Sequence, residues 1–167
     1  MTGVLTIHCI TASSSQLGHS WIEYCPIDGQ PHTYSTWGNH PRGRANGLLV
    51  DMDLRFKSDV SRSRILDAEQ EKRLTELIHH YRLLGDRGWQ LLAPCSAFAA
   101  DVWQHATGEA LAHRTAYISN PTTLANAIRR ANANDGRLDG PAMPAASPGV
   151  RTAEQPHKRH SRSTRRH

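Results

Sequence analysis

The sequence predicts one α+β domain, in which a small antiparallel sheet from the first half of the chain packs against helices from the second half. Two patterns carry this prediction. β-forming residues alternate on both sides of an Asp28-Gly29 turn, and helical apolar spacing begins after Asp67. A chain of 167 residues is long enough to bury one core and needs no second domain.

The first predicted strands surround a tight turn. Residues 4–10 alternate β-forming side chains and predict a strand that a Ser-rich loop ends. Residues 18–25 and 32–37 flank Asp28-Gly29, a dipeptide typical of hairpin turns. We therefore predict an antiparallel hairpin over residues 18–37.

The segment after the hairpin has a weaker pattern. Residues 38–47 are rich in Gly, Asn and Pro, which predicts a loop long enough to form a flap beside a site. Residues 48–54 predict a third paired strand. Residues 58–64 are polar, and only a short strand at residues 64–66 is expected before the first helix.

Two helices have clear start signals. Asp67 is a predicted N-cap with Gln70 three residues later, which is the spacing of a capping box, and the helix that follows should end near Gly85. The last helix should open at Asn120-Pro121, an N-cap followed by proline in the first helical position, and run through about residue 133.

The positive charge is concentrated at the end of the chain. The chain has a net charge of +5. Residues 135–167 contain seven Lys/Arg and three Asp/Glu, so this segment accounts for +4 of that charge. This segment has almost no large apolar residue, so burial cannot offset the entropy of ordering it. The domain is therefore expected to cover residues 1–134, followed by a disordered basic His/Arg-rich tail, 135–167.

No membrane segment and no signal peptide are expected. No apolar run approaches the ~18 residues of a transmembrane helix. The N-terminus lacks the basic region and apolar core of a cleaved leader.

The strongest chemical signal is a cysteine at a helix start. Residues 93–103 form a small-residue turn that leads into an apolar helix, with Cys95 in the first turn and Thr107-Gly108 at the end. The helix dipole favours a thiolate there, and the free N–H groups can hold an oxyanion. His19 begins the second predicted strand, and a distant Cys and His are the parts of a thiol nucleophile and its base. The alternative is that Cys95 is a buried structural thiol without a catalytic role.

A third polar group should orient the histidine. A hairpin centred on the predicted turn places His19 opposite Gly38. Thr36 and His40 are then its diagonal neighbours on the same face. A loop one residue longer places Asn39 opposite instead. We expect Asn39 to complete a Cys-His-Asn arrangement, with Thr36 or His40 as the alternatives.

Other polar and aromatic side chains have weaker signals. Trp21, Trp37 and Ser96 are expected to line the substrate cleft, although tryptophans are also common in cores. Asp51 and Asp53 alternate on a predicted strand, and we expect both to face solvent. No Cys-x-x-Cys pair is present, and neither a metal nor a cofactor is expected.

The two motifs together resemble a known enzyme family. With Gly18-His19-Ser20-Trp21-Ile22 ahead of Pro94-Cys95-Ser96-Ala97-Phe98-Ala99, the chain resembles the circularly permuted papain-like enzymes of the NlpC/P60 superfamily over about residues 4–134. That branch includes lecithin:retinol acyltransferase-like proteins and starts its cysteine helix with Asn-Cys-x-x-Phe, where this chain has Pro94. Residues 34–39 and 119–124 are similar to small domains of this type in bacterial secreted effectors and toxins.

The resemblance implies a function. It implies a cysteine peptidase or amidase that cuts an amide bond in peptidoglycan stem peptides, delivered as a type VI-like antibacterial effector. Such a protein is made in the bacterial cytoplasm and acts in the target-cell periplasm, with an immunity protein and a secretion-apparatus carrier as partners. The alternative is an acyltransferase-like enzyme, thioesterase or protein deamidase that acts on lipid or on a host protein.

A non-enzymatic alternative uses the basic tail. Residues 158–166 are rich in Lys and Arg and could bind nucleic acid or another anionic surface through phosphate contacts. No aromatic residue interleaves with the basic ones, so base stacking is not available and no specific nucleic acid is expected.

Overall fold

The computed structural model describes residues 2–13, 18–38 and 46–138 and confirms the α+β class. Five strands form one antiparallel sheet: β1 (Gly3–Ile10), β2 (His19–Pro26), β3 (His32–Trp37), β4 (Gly47–Val50) and β5 (Val60–Leu66). Their order across the sheet is β4-β3-β2-β1-β5. Three helices follow in the chain: α1 (Ala68–Leu84), α2 (Cys95–Thr107) and α3 (Pro121–Leu138). A 3₁₀ helix, Gly85–Gly88, follows α1, and a small hairpin of β6 (Arg114–Thr115) and β7 (Ile118–Ser119) precedes α3.

The predicted hairpin is confirmed, with a register shifted by one residue. Ile22 pairs with Tyr34, whereas a hairpin centred on Asp28-Gly29 would pair it with Ser35. The reason lies in the turn, where the Gly29 N–H donates to the Pro26 carbonyl at 3.3 Å. The chain therefore reverses slightly earlier than the dipeptide suggests.

The next two strands differ from the prediction. β4 ends at Val50 rather than at residue 54, because Asp51 adopts a left-handed φ of 60° that turns the chain out of the strand. β5 covers the polar stretch that was expected to be irregular. Pairing with β1 along its length makes this segment a strand, so tertiary contact overrides its polar composition.

The core lies between the sheet and the helices. α2 packs over β2 and β3, α1 packs beside α2, and α3 crosses β1 and β5. Each fully buried large apolar side chain contributes about 1.5–3 kcal/mol to this packing. Its largest fully buried members are Leu5, Ile7, Ile22, Leu66, Phe98, Val102, Trp103, Leu124 and Ile128.

The helix starts follow their capping signals. Asp67 caps α1 in the predicted capping box with Gln70, and both of its hydrogen bonds are present. The Asn120 side chain accepts from the Thr123 N–H at 2.8 Å at the start of α3. Pro94 is the N-cap of α2, so Cys95 is its first helical residue.

The last helix is longer than predicted. α3 continues to Leu138, because Asp135 forms ion pairs with Arg62 at 2.9 Å and with Arg64 at 3.0 Å. The helix therefore includes the first residues of the predicted tail. Residues 139–167 lie outside the described residues. Along the described chain, no helix has the length and apolar content that a membrane crossing requires.

Candidate active site

The cysteine lies at an open helix start. The Pro94 carbonyl accepts from the N–H groups of Ala97 and Phe98, at 2.9 and 3.2 Å. No side chain of the described residues caps this end of α2. The amides of Cys95 and Ser96 come before the first N–H that the helix can satisfy internally, so they are available to an external acceptor.

The histidine is held among aromatic rings at the start of β2. Its ring centroid lies 4.3 Å from that of Trp37 and 5.8 Å from that of Trp21. The observed register, continued to the end of β2, places His19 level with Trp37 rather than with the expected Gly38. These contacts fix the plane of the imidazole and leave His19 only 7% exposed.

The structure brings the predicted nucleophile and base together and adds a carboxylate. The Cys95 thiol and the His19 imidazole line one cavity, and Cys95 is near enough to raise the pKa of His19. On the other side, His19 Nε2 hydrogen-bonds Asp53 Oδ1 at 3.1 Å. Because Nε2 is taken by the carboxylate, Nδ1 is the ring nitrogen that remains for the thiol. The three side chains form a Cys-His-Asp series.

The surroundings of His19 favour its protonated form. Burial lowers the pKa of His19, but the hydrogen bonds to Asp53 and Cys95 outweigh burial and raise it to about 9. An imidazolium is therefore retained at neutral pH, at the cavity that Cys95 also lines.

Asp53 belongs to the candidate site, although the sequence pattern did not indicate it. We expected Asp51 and Asp53 to face solvent, but Asp53 is 1% exposed and its N–H donates to Thr33 Oγ1 at 3.3 Å. Only Asp51 is at the surface, where it pairs with His32 at 3.1 Å. The alternation rule applies inside a strand, and the strand ends at Val50. The apolar run Leu-Leu-Val ends directly before Asp51. This was the sequence signal that the strand, and with it the alternation, stops at Val50.

The residues expected to orient His19 were Asn39, Thr36 and His40, and no described contact gives any of them that role. Asn39 and His40 lie outside the described residues. Thr36 is buried near the site, but its hydroxyl has no hydrogen-bond partner in the part of the chain that the structure describes. Thr36 therefore does not orient the imidazole, and Asp53 is the described side chain that does.

Cys95 and His19 open onto a common cavity of about 340 Å³. The cavity lies between the start of α2, the ends of β2 and β3, and the segment that leads into α3. Its walls are mostly apolar, which favours ligands that present an apolar group. The apolar wall residues are Trp37, Trp89, Leu91, Pro94 and Pro121.

Two glycines allow this cavity to form. Gly18 has a φ of 72°, and a Cβ there would lie 2.8 Å from the Ile10 carbonyl oxygen. A Cβ on Gly38 would overlap the indole of Trp89. Glycine therefore lets the chain turn into β2 and lets the Trp89 ring lie directly on the backbone beside the site.

Of the three residues expected in the cleft, the structure places one there. Trp37 lines the cavity. Trp21 does not, because it is 1% exposed and its ring stacks on His8 with 4.9 Å between centroids. Ser96 is also interior, because it is on the inward side of α2 and its hydroxyl is 2.8 Å from that of Ser119. Ser96 ties the helix start to β7 instead of contacting substrate.

Metal-ligating side chains are not clustered in the described ranges. Within residues 2–13, 18–38 and 46–138, no group of three or more His, Cys, Asp or Glu is arranged to hold a metal ion.

Comparisons with known proteins identify no relative. No family model, no curated protein and no solved structure matches this chain.

Proposed function

We propose that this protein is a cysteine hydrolase, with Cys95 as nucleophile, His19 as general acid and base, and Asp53 as the residue that positions His19. One observation carries the proposal: His19 lies between a thiol at a helix start and a buried carboxylate, beside a cavity. This is the arrangement that thiol acyl transfer requires, because each group has a defined partner.

The reaction proceeds by acyl transfer. The Cys95 sulfur attacks the carbonyl carbon of an amide, a C–S bond forms, and the carbonyl electrons move to oxygen. N–H groups at the start of α2 stabilise this oxyanion. As the C–N bond breaks, His19 gives its proton to the leaving amine. Water then attacks the thioester, His19 accepts a proton from it, and the acid product leaves the regenerated cysteine.

The proposed substrate is an amide bond in a peptidoglycan stem peptide. The support is the resemblance of the His19 and Cys95 motifs to permuted NlpC/P60 enzymes, together with the order of a histidine strand before a cysteine helix. On this proposal the protein is an antibacterial type VI-like effector, made in the bacterial cytoplasm and active in the target-cell periplasm. An immunity protein and a secretion-apparatus carrier are then its partners.

A second candidate function is acyl transfer or hydrolysis on a lipid ester or thioester. It is favoured by the apolar cavity walls and by the exposed leucines next to them, Leu91 at 77% and Leu92 at 59% exposure. An acyl chain would bury this surface more fully than a polar stem peptide.

Digestion of purified substrates separates the two candidates. Wild type, Cys95→Ala and the control Cys25→Ala are incubated with peptidoglycan sacculi and with a fluorogenic lipid ester. Cys25 is a free, half-buried cysteine away from the cavity lining. New stem-peptide fragments from wild type and Cys25→Ala, but not from Cys95→Ala, are the expected result by mass spectrometry. Turnover of the lipid ester with intact sacculi would select the second candidate, and activity that survives in Cys95→Ala would reject both.

The effector role has its own test. Wild type and Cys95→Ala are expressed in a bacterial host, directed either to the periplasm or to the cytoplasm. The expected result is killing from the periplasm only, dependent on Cys95. Equal toxicity of the two variants, or killing from the cytoplasm alone, would reject a periplasmic cell-wall target.

A further inference from the structure

A hydroxyl at the cavity that contains Cys95 is buried and has no hydrogen-bond partner among the described residues. Thr36 is 1% exposed, and its Oγ1 makes no hydrogen bond within the described residues. Buried hydroxyls in folded proteins are nearly always paired, because an unpaired one loses its water without compensation. A retained exception next to a cavity indicates that a ligand atom supplies the partner.

Thr36 differs in its position from the other buried polar groups that lack a hydrogen bond. Among the described residues, the buried side-chain atoms without a hydrogen-bond partner are His8 Nε2, Thr36 Oγ1, Asp53 Oδ2 and Arg73 Nε. Of these four residues, only Thr36 lines the cavity that contains Cys95.

The Thr36 side chain and the start of α2 line the same cavity. Alternation along β3 places Thr36 on the same face as Tyr34, which packs against the core beneath α2. The first-turn amides of α2 reach the same cavity at Cys95 and have no side-chain cap from the described residues. Unsatisfied donors from β3 and from the start of α2 are therefore present at one cavity.

We propose that the Thr36 hydroxyl and the Cys95 backbone N–H together form the oxyanion hole of this enzyme. This inference rests on the proposed function, because it requires that Cys95 attacks a carbonyl. The hydroxyl donates to the carbonyl oxygen as negative charge develops on it, which is the point at which a fixed donor has its largest effect on rate. Thr36 is then a catalytic residue, distinct from Asp53, which acts through His19.

Two reagents distinguish an oxyanion donor from a residue that orients the histidine. With p-nitrophenyl butyrate, the Cys95 sulfur bonds to the carbonyl carbon, an oxyanion forms, and p-nitrophenolate leaves as the thioester is made. With iodoacetamide, sulfur displaces iodide directly from a saturated carbon, and no oxyanion forms. A variant that reacts more slowly with p-nitrophenyl butyrate but at the normal rate with iodoacetamide therefore has a defect in the oxyanion hole alone.

The variants are Thr36→Val, which keeps the shape and removes the hydroxyl, and Thr36→Ser, which keeps the hydroxyl. Thr6→Val is the matched control, because Thr6 is also on a strand and its hydroxyl bonds Ser63 at 3.0 Å, outside the cavity lining. The rate of the p-nitrophenolate burst, the rate of iodoacetamide alkylation of Cys95 and the urea midpoint are measured for each full-length protein.

We expect Thr36→Val to lower the burst rate about 100-fold and to change the alkylation rate less than about twofold. Thr36→Ser should recover most of the burst rate, and Thr6→Val should match wild type. The urea midpoint of Thr36→Val should equal or exceed that of wild type, because an unpaired buried hydroxyl is removed.

Three outcomes would overturn the inference. A burst rate of Thr36→Val within about threefold of wild type would remove Thr36 from the oxyanion hole. An equal loss in the burst and in alkylation would show that Thr36 positions the Cys95–His19 pair instead. If wild-type Cys95 reacts with neither reagent, the proposed function itself fails, and it does so independently of any Thr36 variant.

Discussion

At the residue scale, the pKa values of two histidines in the sheet are shifted in opposite directions by their surroundings. His19 is buried beside Asp53 and Cys95, and their hydrogen bonds raise its pKa to about 9 against the opposing effect of burial. His8 is partly buried and stacks on Trp21, and loss of solvent lowers its pKa to about 4, despite the charge of Asp53. The same sheet therefore holds one histidine charged and the other neutral at pH 7.

Removal of the Asp53 charge should lower the pKa of His19 and slow the reaction. In Asp53→Asn the imidazole loses its anionic partner, so its NMR titration midpoint should fall by at least one unit. Acylation of Cys95 should slow by about 10- to 100-fold, because the imidazole loses both its orientation and its proton. The control is Asp51→Asn, which alters the exposed pair with His32 and should leave both measurements unchanged. An unchanged midpoint in Asp53→Asn would show that the carboxylate does not hold His19.

The two histidines also predict how stability depends on pH. The pKa of His19 in the folded protein lies above the ordinary 6.5, so its stabilisation is complete below pH 6.5 and is lost as pH rises to about 9. The pKa of His8 lies below 6.5, so stability falls as pH drops from 6.5 to about 4. The unfolding free energy should therefore be greatest near pH 6.5, with the His19 contribution about 3 kcal/mol at most.

Urea unfolding between pH 4 and pH 9 tests this profile. Asp53→Asn should flatten the alkaline side, and His8→Phe should flatten the acid side down to about pH 4. A wild-type profile that is level from pH 6.5 to pH 9 would contradict the role assigned to His19.

At the element scale, the start of α2 and the loop before it shape the candidate site. Trp89 leads into α2, and its indole lies on the Gly38 backbone at the end of β3. Leu91 and Pro94 continue this wall to the nucleophile. The cavity therefore exists because one loop packs its aromatic ring on a residue without a side chain.

A methyl group at Gly38 should disturb the cavity more than the fold. Gly38→Ala would push the Trp89 ring away, so KM should rise several-fold and the tryptophan emission should shift, with a loss of stability of about 1–2 kcal/mol. Gly136→Ala is the matched control, because nothing lies within 4 Å of its Cβ position on α3. The control should leave KM unchanged and stabilise the protein by up to about 1 kcal/mol. Equal KM values for Gly38→Ala and wild type would show that Trp89 does not shape the substrate site.

At the scale of the whole molecule, one buried arginine joins three parts of the fold. Arg62 on β5 donates to both oxygens of Glu109, beyond the end of α2, at 2.8 and 2.6 Å. It also bonds Asn132 and Asp135 on α3, each at 2.9 Å. This cluster fixes both helices relative to the sheet edge.

Loss of this arginine should destabilise the whole domain. Arg62→Met keeps most of the side-chain volume but leaves Glu109 and Asp135 without their buried cation, so the unfolding free energy should fall by about 2–3 kcal/mol. Both carboxylates are partly exposed, which keeps the loss below that of a fully buried pair. Lys72→Met, which removes an exposed pair with Glu76, should cost less than about 0.5 kcal/mol. Similar losses for the two variants in urea unfolding would contradict the role of the cluster.

Much of the fold could be predicted because its signals are local. The capping box at Asp67, the cap at Asn120 and the Asp-Gly turn each involve hydrogen bonds between residues a few positions apart, and each forms the element that was expected. The position of Cys95 at a helix start follows from another local signal, a proline followed by helical apolar spacing. The pairing of β5 with β1 was not predictable in this way, because it depends on a partner more than fifty residues away.

The sequence by itself determined the α+β class and the positions of most elements, including a histidine at the start of a strand and a cysteine at the start of a helix, because periodicity and caps are properties of neighbouring residues. Only the tertiary structure decided which polar group faces His19. A one-residue shift in the hairpin and a left-handed turn at Asp51 brought Asp53, rather than Thr36, into hydrogen-bonding distance. Such a distance of about 3 Å depends on how strands, turn and helix are packed together, and no local pattern records that packing.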